Sequence, residues 1–239
     1  MKTNHEHFIN KHNRPAERGN ALIYVLIAVA LFAALSFTLG RQSDSDEAGS
    51  LDDSKAELYA TQLISYAAQA QSSIDQMLIT GSEIDDLDFI LPTAAAFNTP
   101  PDIHKVYHPA GGGLSPGRLP VEVIAQNITD PVAGWYMGRF NNVEWSATAA
   151  DDVILVAYQI SQSVCAKINE LVNGSSAIPT MTDSIRETMI DDTLYTGSNV
   201  DLTTDDPGDI CPECDRVPSL CVQNQAGTAY GFYTILADQ

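Results

Sequence analysis

Between Arg18 and Arg41 the chain carries no charged side chain. Residues 19–40 read G-N-A-L-I-Y-V-L-I-A-V-A-L-F-A-A-L-S-F-T-L-G. A helix rises about 1.5 Å per residue, so about 20 apolar residues cover the roughly 30 Å hydrocarbon layer of a bilayer. The stretch is therefore predicted to span a membrane once, and later apolar runs such as Val153–Ala157 are too short to do so. It is also rich in alanine (Ala21, Ala28, Ala30, Ala33 and Ala34), and small side chains let helices approach closely in lipid.

The residues before it set an orientation. Lys2, Lys11, Arg14 and Arg18 outnumber Glu6 and Glu17, and positive flanks stay on the cytoplasmic side, which places the N-terminus inside. A secretory signal would have a shorter apolar core, about 7–15 residues, and a small-residue cleavage site after it. Here Arg41-Gln-Ser-Asp-Ser-Asp-Glu follows, with no clear site of that kind. An uncleaved anchor fits the hydropathy but gives the Arg18-Gly19 junction no purpose.

A short basic leader ending in Gly, followed at once by an apolar helix, resembles the class III signal of type IV pilins and type II secretion pseudopilins. The resemblance covers Arg18 to about Leu39 and the layout beyond it. It implies that a prepilin peptidase cuts between Gly19 and Asn20 on the cytoplasmic side. The new N-terminus would be methylated, and the apolar helix would remain as the packing core of a filament. Two positions depart from the usual family pattern. Asn20 stands where Phe or Met is common, and Tyr24 where most members carry Glu. Tip-located minor pseudopilins lack that acid, and their starts resemble Gly19-Asn20-Ala21-Leu22-Ile23. The resemblance thus implies a minor subunit.

At 239 residues the chain holds one sizeable domain beyond the membrane segment. Its net charge is −19, and without residues 1–19 it would be −21, from eight Lys and Arg against twenty-nine Asp and Glu. That balance excludes nucleic-acid binding through a basic surface and disfavours anionic lipid headgroups. It suits a domain outside the cytoplasm or one that uses divalent cations.

After Gly40 a polar segment, Arg41 to Ser50, is expected to break or bend the helix, because Gly40 and Gly49 each weaken it by about 1 kcal/mol. Ser54 and Glu57 read as a capping box that starts a second helix. Ala56, Ala60, Leu63, Ala67, Ala70, Ile74 and Met77 then recur at spacings of four and three, and Gly81 supplies the stop. That face is narrow and built of small residues in its upper half, so a broad flat surface such as a sheet should lie against it.

From Ser82 to Asp130 the chain reads as loop, with Gly111-Gly112-Gly113 as a flexible turn. Trp135–Phe140 and Val143–Thr148 flank Asn141-Asn142, a pattern that predicts a two-residue hairpin. A strand at Val153–Ile160 leads into a helix, Ser161 to Asn173, with Val164, Cys165, Ile168, Leu171 and Val172 on one face. Residues 175–215 read as loop with a short helix near Thr182–Ile190. A hairpin of Ser219–Gln223 and Tyr230–Leu236 closes the chain.

Cys165, Cys211, Cys214 and Cys221 are expected to form two disulfides tying the C-terminal loop to the Cys165 helix, with three connectivities open. A zinc site built from all four cysteines is the competing reading of C-P-E-C. A thioredoxin-like pair is disfavoured by Pro218 and the turn-rich surroundings. Asp201, Asp205, Asp206 and Asp209 offer hard oxygen ligands for Ca2+, or a solvated acidic loop that needs no ion. Some pseudopilins hold Ca2+ in a C-terminal loop, so the resemblance favours the first. His104 and His108 would share a face in a strand but lack an evident third ligand, and read as a polar loop pair. No H-E-x-x-H and no phosphate-binding glycine loop preceding a helix occurs, which argues against an enzyme.

The expected fold is α+β: a long N-terminal helix, half membrane-spanning and half amphipathic, packed on an antiparallel sheet, then a loop-rich C-terminal part with disulfides. Residues 1–19 would be a cytoplasmic leader, 20–40 the transmembrane or filament-core helix, 41–81 the polar break and amphipathic helix, and 82–239 the extracytoplasmic domain. The expected role is structural: a single-pass inner-membrane subunit with a periplasmic domain, extracted into a type IV pilus or type II pseudopilus. Its partners would be other pilin or pseudopilin subunits and the prepilin peptidase, with no nucleic acid. The alternative is a membrane-anchored periplasmic protein that binds a partner or ligand without polymerising.

Overall fold

A computed structural model describes residues 46–125, 131–190 and 201–238. The leader, the Gly19-Asn20 junction, Tyr24, the rest of the apolar stretch and residues 41–45 lie outside the described residues. Of the N-terminal unit, Met1–Leu51, only the helical backbone from Asp46 is described; Asp52–Gln239 forms the second unit.

Helix α1 spans Asp46–Ile79. The predicted polar break therefore does not hold for residues 46–50, and Ser54 lies inside a helix rather than capping its start. A single Gly49 costs about 1 kcal/mol, too little to stop a helix whose following turns are fixed by packing. The expected stripe is found: Ala56, Ala60, Leu63, Ala67, Ala70, Ile74 and Met77 are all buried. Burial of Leu63, Ile74 and Met77 contributes about 1.5–3 kcal/mol each. Gly81, at φ +107°, ends the helix. There Ser82 N–H donates to Met77 O at 3.0 Å and Gly81 N–H to Leu78 O at 3.2 Å. That pair of bonds is a Schellman cap, which satisfies carbonyls the helix cannot.

The stripe shares a core with one face of a four-stranded antiparallel sheet. Its strands are β1 (Gly134–Asn141), β2 (Asp152–Tyr158), β3 (Ser219–Gln223) and β4 (Tyr230–Ala237), in the order β1-β2-β4-β3. Alternation divides the central strand: Val153, Leu155 and Ala157 join the α1 core, while Ile154, Val156 and Tyr158 join a second core on the other face. This explains why β2 reads as a continuous apolar run: it is buried throughout. Gln71 Nε2 ties α1 to the sheet by donating to Leu236 O at 2.6 Å.

The hairpin predicted at Asn141-Asn142 is not formed. β1 pairs instead with β2, across the connection 142–151. The carboxylate of Asp152 accepts from Val143 N–H at 2.8 Å, and Asn142 Nδ2 donates to Thr148 O at 2.9 Å. Those bonds fold residues 142–148 into turns, and Val143 forms a parallel bridge to Leu202 instead. The C-terminal hairpin forms as predicted. Gly111 and Gly112 are not a flexible turn. A Cβ on Gly112 would lie 2.5 Å from Ser73 Oγ and 2.8 Å from Met77 Sδ, so the loop packs directly on α1.

Helix α2 (Gln162–Asn173) begins after Ser161 and ends at Gly174, near the expected bounds. Its buried face is Val164, Cys165, Ile168 and Asn169, whereas Leu171 and Val172 are exposed. Asn169 takes a core position because it completes a strand. Its Oδ1 accepts from Cys221 N–H at 2.7 Å and its Nδ2 donates to Cys221 O at 2.8 Å. At the neighbouring outward position, Gln223 N–H donates to Pro179 O and Met181 N–H donates to Gln223 O. The free edge of β3 is thereby covered, which removes a template for edge-to-edge pairing. A short helix, α3 (Ile185–Met189), packs on the second face, capped by Ser184.

Candidate functional site

All four cysteines are paired, so no thiolate remains to hold zinc. Cys165 joins Cys221, which fastens α2 to β3, and Cys211 joins Cys214 within C-P-E-C. Only one bridge reaches the Cys165 helix, where two were expected. The second bridge closes a single 3-10 turn, Pro212–Cys214, and both its sulfurs belong to the second core.

That local bridge anchors one end of the acidic loop. Cys211 N–H donates to Thr203 O at 3.1 Å, and Ile210 N–H to Thr203 Oγ1 at 3.0 Å. At the other end Leu202 N–H donates to Asn142 O, and Glu144 N–H to Leu202 O. The loop is thus stitched to the 142–148 turns, which bring in a carboxylate from far along the chain. Glu144, Asp205 and Asp209 each present an oxygen, all within 4.8 Å of one another. Glu144 Oε2 also accepts from Thr204 N–H at 2.5 Å, and Asp209 Oδ2 from Asp206 N–H at 2.5 Å. Of the four predicted ligands, Asp205 and Asp209 are in this group, and Asp201 and Asp206 are not. Glu144 escaped the sequence reading because the predicted hairpin would have put it in a strand.

The charges in this group oppose one another. The Asp205 carboxyl is pushed up from its ordinary range, first by Glu144, then by loss of water, then by Asp206 and Asp209. Calcium takes six to eight oxygens at about 2.3–2.6 Å, so two ligands on opposite sides of the ion stand about 5 Å apart. Three oxygens within 4.8 Å fit that geometry, with water or carbonyls completing the shell. Asp201 lies near another acid: the Asp151 carboxyl is raised by burial and by the charges of Asp201 and Asp85, against the lowering effect of Arg139.

The histidines do not form a site. His104 Nδ1 is 3.0 Å from Ser82 Oγ, while His108 Nδ1 accepts from Ala110 N–H and its ring meets that of Phe97 at a tilt, with centroids 5.0 Å apart. The polar centre of their loop is Lys105, which is only 3% exposed. Its ammonium donates to Ala96 O, Phe97 O and Thr99 O and meets Asp102 Oδ1 at 2.7 Å. Every donor is used within the loop, so Lys105 organises structure and is not available to a substrate. Among the described residues no helix is long and apolar enough to cross a membrane.

No protein-family model, curated protein or solved structure matches the chain.

Proposed function

We propose that the protein is a structural subunit of a type IV pilus or type II secretion pseudopilus, in a minor, tip-located role. The observation that carries this reading is the basic leader ending at Gly19, directly followed by the uncharged stretch to Gly40. The architecture beyond it supports the reading. Helix α1 lays a stripe of small residues on an antiparallel sheet, the arrangement expected for a helical spine with a globular head. Tyr24 supports the minor role. In family filaments the acid at that place is thought to meet a neighbour's charged N-terminus, and burying that ammonium unpaired costs several kcal/mol. A subunit with Tyr24 fits an end of the filament, where no neighbour asks for the carboxylate.

Mass spectrometry of the native N-terminus tests the proposal. The mature chain should begin at Asn20 and be N-methylated, and Gly19→Val should leave the leader attached. An intact Met1 start in the wild type, or cleavage after Ala48, would sink the reading.

The same reading assigns Ca2+ to Glu144, Asp205 and Asp209. A group whose pKa is raised on folding contributes stability below its unfolded pKa and loses it as pH rises through the folded value. At neutral pH the ionised Asp205 carboxylate, facing Glu144, therefore opposes folding, and a cation relieves it. About 1 mM Ca2+ should raise the melting temperature at pH 7, and the gain should fade as pH falls into the carboxylate range. Asp205→Asn should raise the melting temperature in chelator and abolish the response to calcium. A calcium response that survives in Asp205→Asn would remove the assignment.

A further inference from the structure

The two disulfides sit in different settings. Cys165–Cys221 lies between α2 and β3, and the Asn169 carboxamide is bonded to both main-chain groups of Cys221. Cys211–Cys214 lies under one turn of loop. Both of its cysteines are buried, yet Pro212, Glu213, Asp215 and Arg216 around them are exposed. That turn is held by Cys214 N–H donating to Cys211 O at 2.9 Å and Val217 N–H donating to Cys214 O at 3.1 Å. Breaking a few such bonds uncovers the C-P-E-C sulfurs, whereas uncovering Cys165 or Cys221 means lifting α2 off the sheet. Surface loops open far more readily than packed helices and strands.

The bridged turn holds down a loop that is pushed outward. Leu202 N–H, donating to Asn142 O, fixes one end of the loop, and the Tyr233 hydroxyl, donating to Val217 O at 2.9 Å, fixes the other. Between those ends, Cys211 N–H and Ile210 N–H donate to Thr203 O and Oγ1. A third bond, from Thr182 N–H to Ile210 O at 2.9 Å, tethers the turn to the chain before α3. Against these bonds stands the repulsion of Asp205 by Glu144. Arg216 adds to it, held at φ +55°, a left-handed conformation that residues other than glycine seldom adopt. Like charge and backbone strain favour opening, and the covalent bond opposes it.

We propose that the Cys211–Cys214 bridge is a reversible redox latch, opened by a dithiol oxidoreductase, whose opening releases the acidic loop from the 142–148 turns. A thiolate of the oxidoreductase attacks one of the two sulfurs, the S–S bond breaks and a mixed disulfide forms. The second thiol of the oxidoreductase resolves it and leaves as part of that protein's own disulfide. Cys211 and Cys214 take up two electrons and two protons and remain as thiols. The second core accepts them in that state, because a free cysteine packs as a small hydrophobe. Residues 203–216 then loosen, while Leu202 and Val217 stay fixed. The inference rests on the bridge and the bonds around it, so its failure leaves the filament and calcium readings untouched.

The test uses the full chain in detergent with a calcium chelator. Dithiothreitol is titrated in, free thiols are trapped by alkylation, and each cysteine is read by mass spectrometry. Cys211 and Cys214 should become reactive about tenfold faster or more than Cys165 and Cys221. In the selectively reduced protein, hydrogen exchange across residues 203–216 should quicken by about tenfold or more, with α2 and β3 unchanged. Glutathione disulfide should restore the slow exchange. Cys211→Ser with Cys214→Ser should show the fast exchange without any reductant. Reduction of Cys165–Cys221 first, or at the same rate, overturns the proposal. So does loss of protection in α2 and β3 when only the C-P-E-C bridge is open, or loop exchange that is the same in both redox states.

Discussion

Lys105→Met is expected to unfold well below the wild-type temperature. Lys105 is buried, and its ammonium gathers three carbonyls and the Asp102 carboxylate from residues 96–102. Methionine keeps the volume but leaves those acceptors facing one another without a donor. Breaking a buried pair by removing one partner costs about 3–5 kcal/mol, because the stranded group has lost its water and gained nothing. Asp102 keeps some access to solvent, with its side chain 24% exposed, so the lower end of that range applies. For a chain of this size that is a fall of about 6–12 °C. Asp102→Asn should cost less, since it removes one charge and leaves the carbonyls satisfied. A Lys105→Met chain melting within about 2 °C of wild type would show that the loop repacks without its cation.

The second large effect separates the two disulfides. Loss of the Cys165–Cys221 bridge, by serine at both positions, should cost about 4 kcal/mol, and loss of Cys211–Cys214 about 2 kcal/mol. The difference follows from loop size. The first bridge spans a sequence separation of 56 and the second a separation of 3, so the first restricts the unfolded chain far more. The native state points the same way, because Cys165–Cys221 seats α2 on β3 beside the Asn169 carboxamide. Denaturant midpoints of the two double-serine chains decide it. A larger loss for the C-P-E-C pair would mean that the acidic loop, and not the α2–β3 contact, limits stability.

Some of this structure is legible residue by residue. The stripe from Ala56 to Met77 could be read because neighbours on a helix face are three or four positions apart, and Gly81 closes it through local backbone geometry. The C-terminal hairpin and the helix ending at Gly174 follow from equally short-range signals. The helix face of α2 shows where such reading fails. Leu171 and Val172 continue its apolar pattern and are exposed, while polar Asn169 is buried because its carboxamide replaces a missing strand.

The sequence by itself determined the uncharged stretch with its basic flank, the acidic balance, the α1 stripe and most element positions. Each of these depends on neighbours within a turn or two of chain. Tertiary structure alone decided that Val143–Thr148 folds as turns, that Cys165 takes Cys221, and that Glu144 joins Asp205 and Asp209. It also closed the edge of β3 with Asn169, Pro179 and Met181. These outcomes depend on groups tens of residues apart competing for the same hydrogen bonds. The carboxylate of Asp152 took the amide of Val143 and removed a strand, and no local pattern records which acceptor wins.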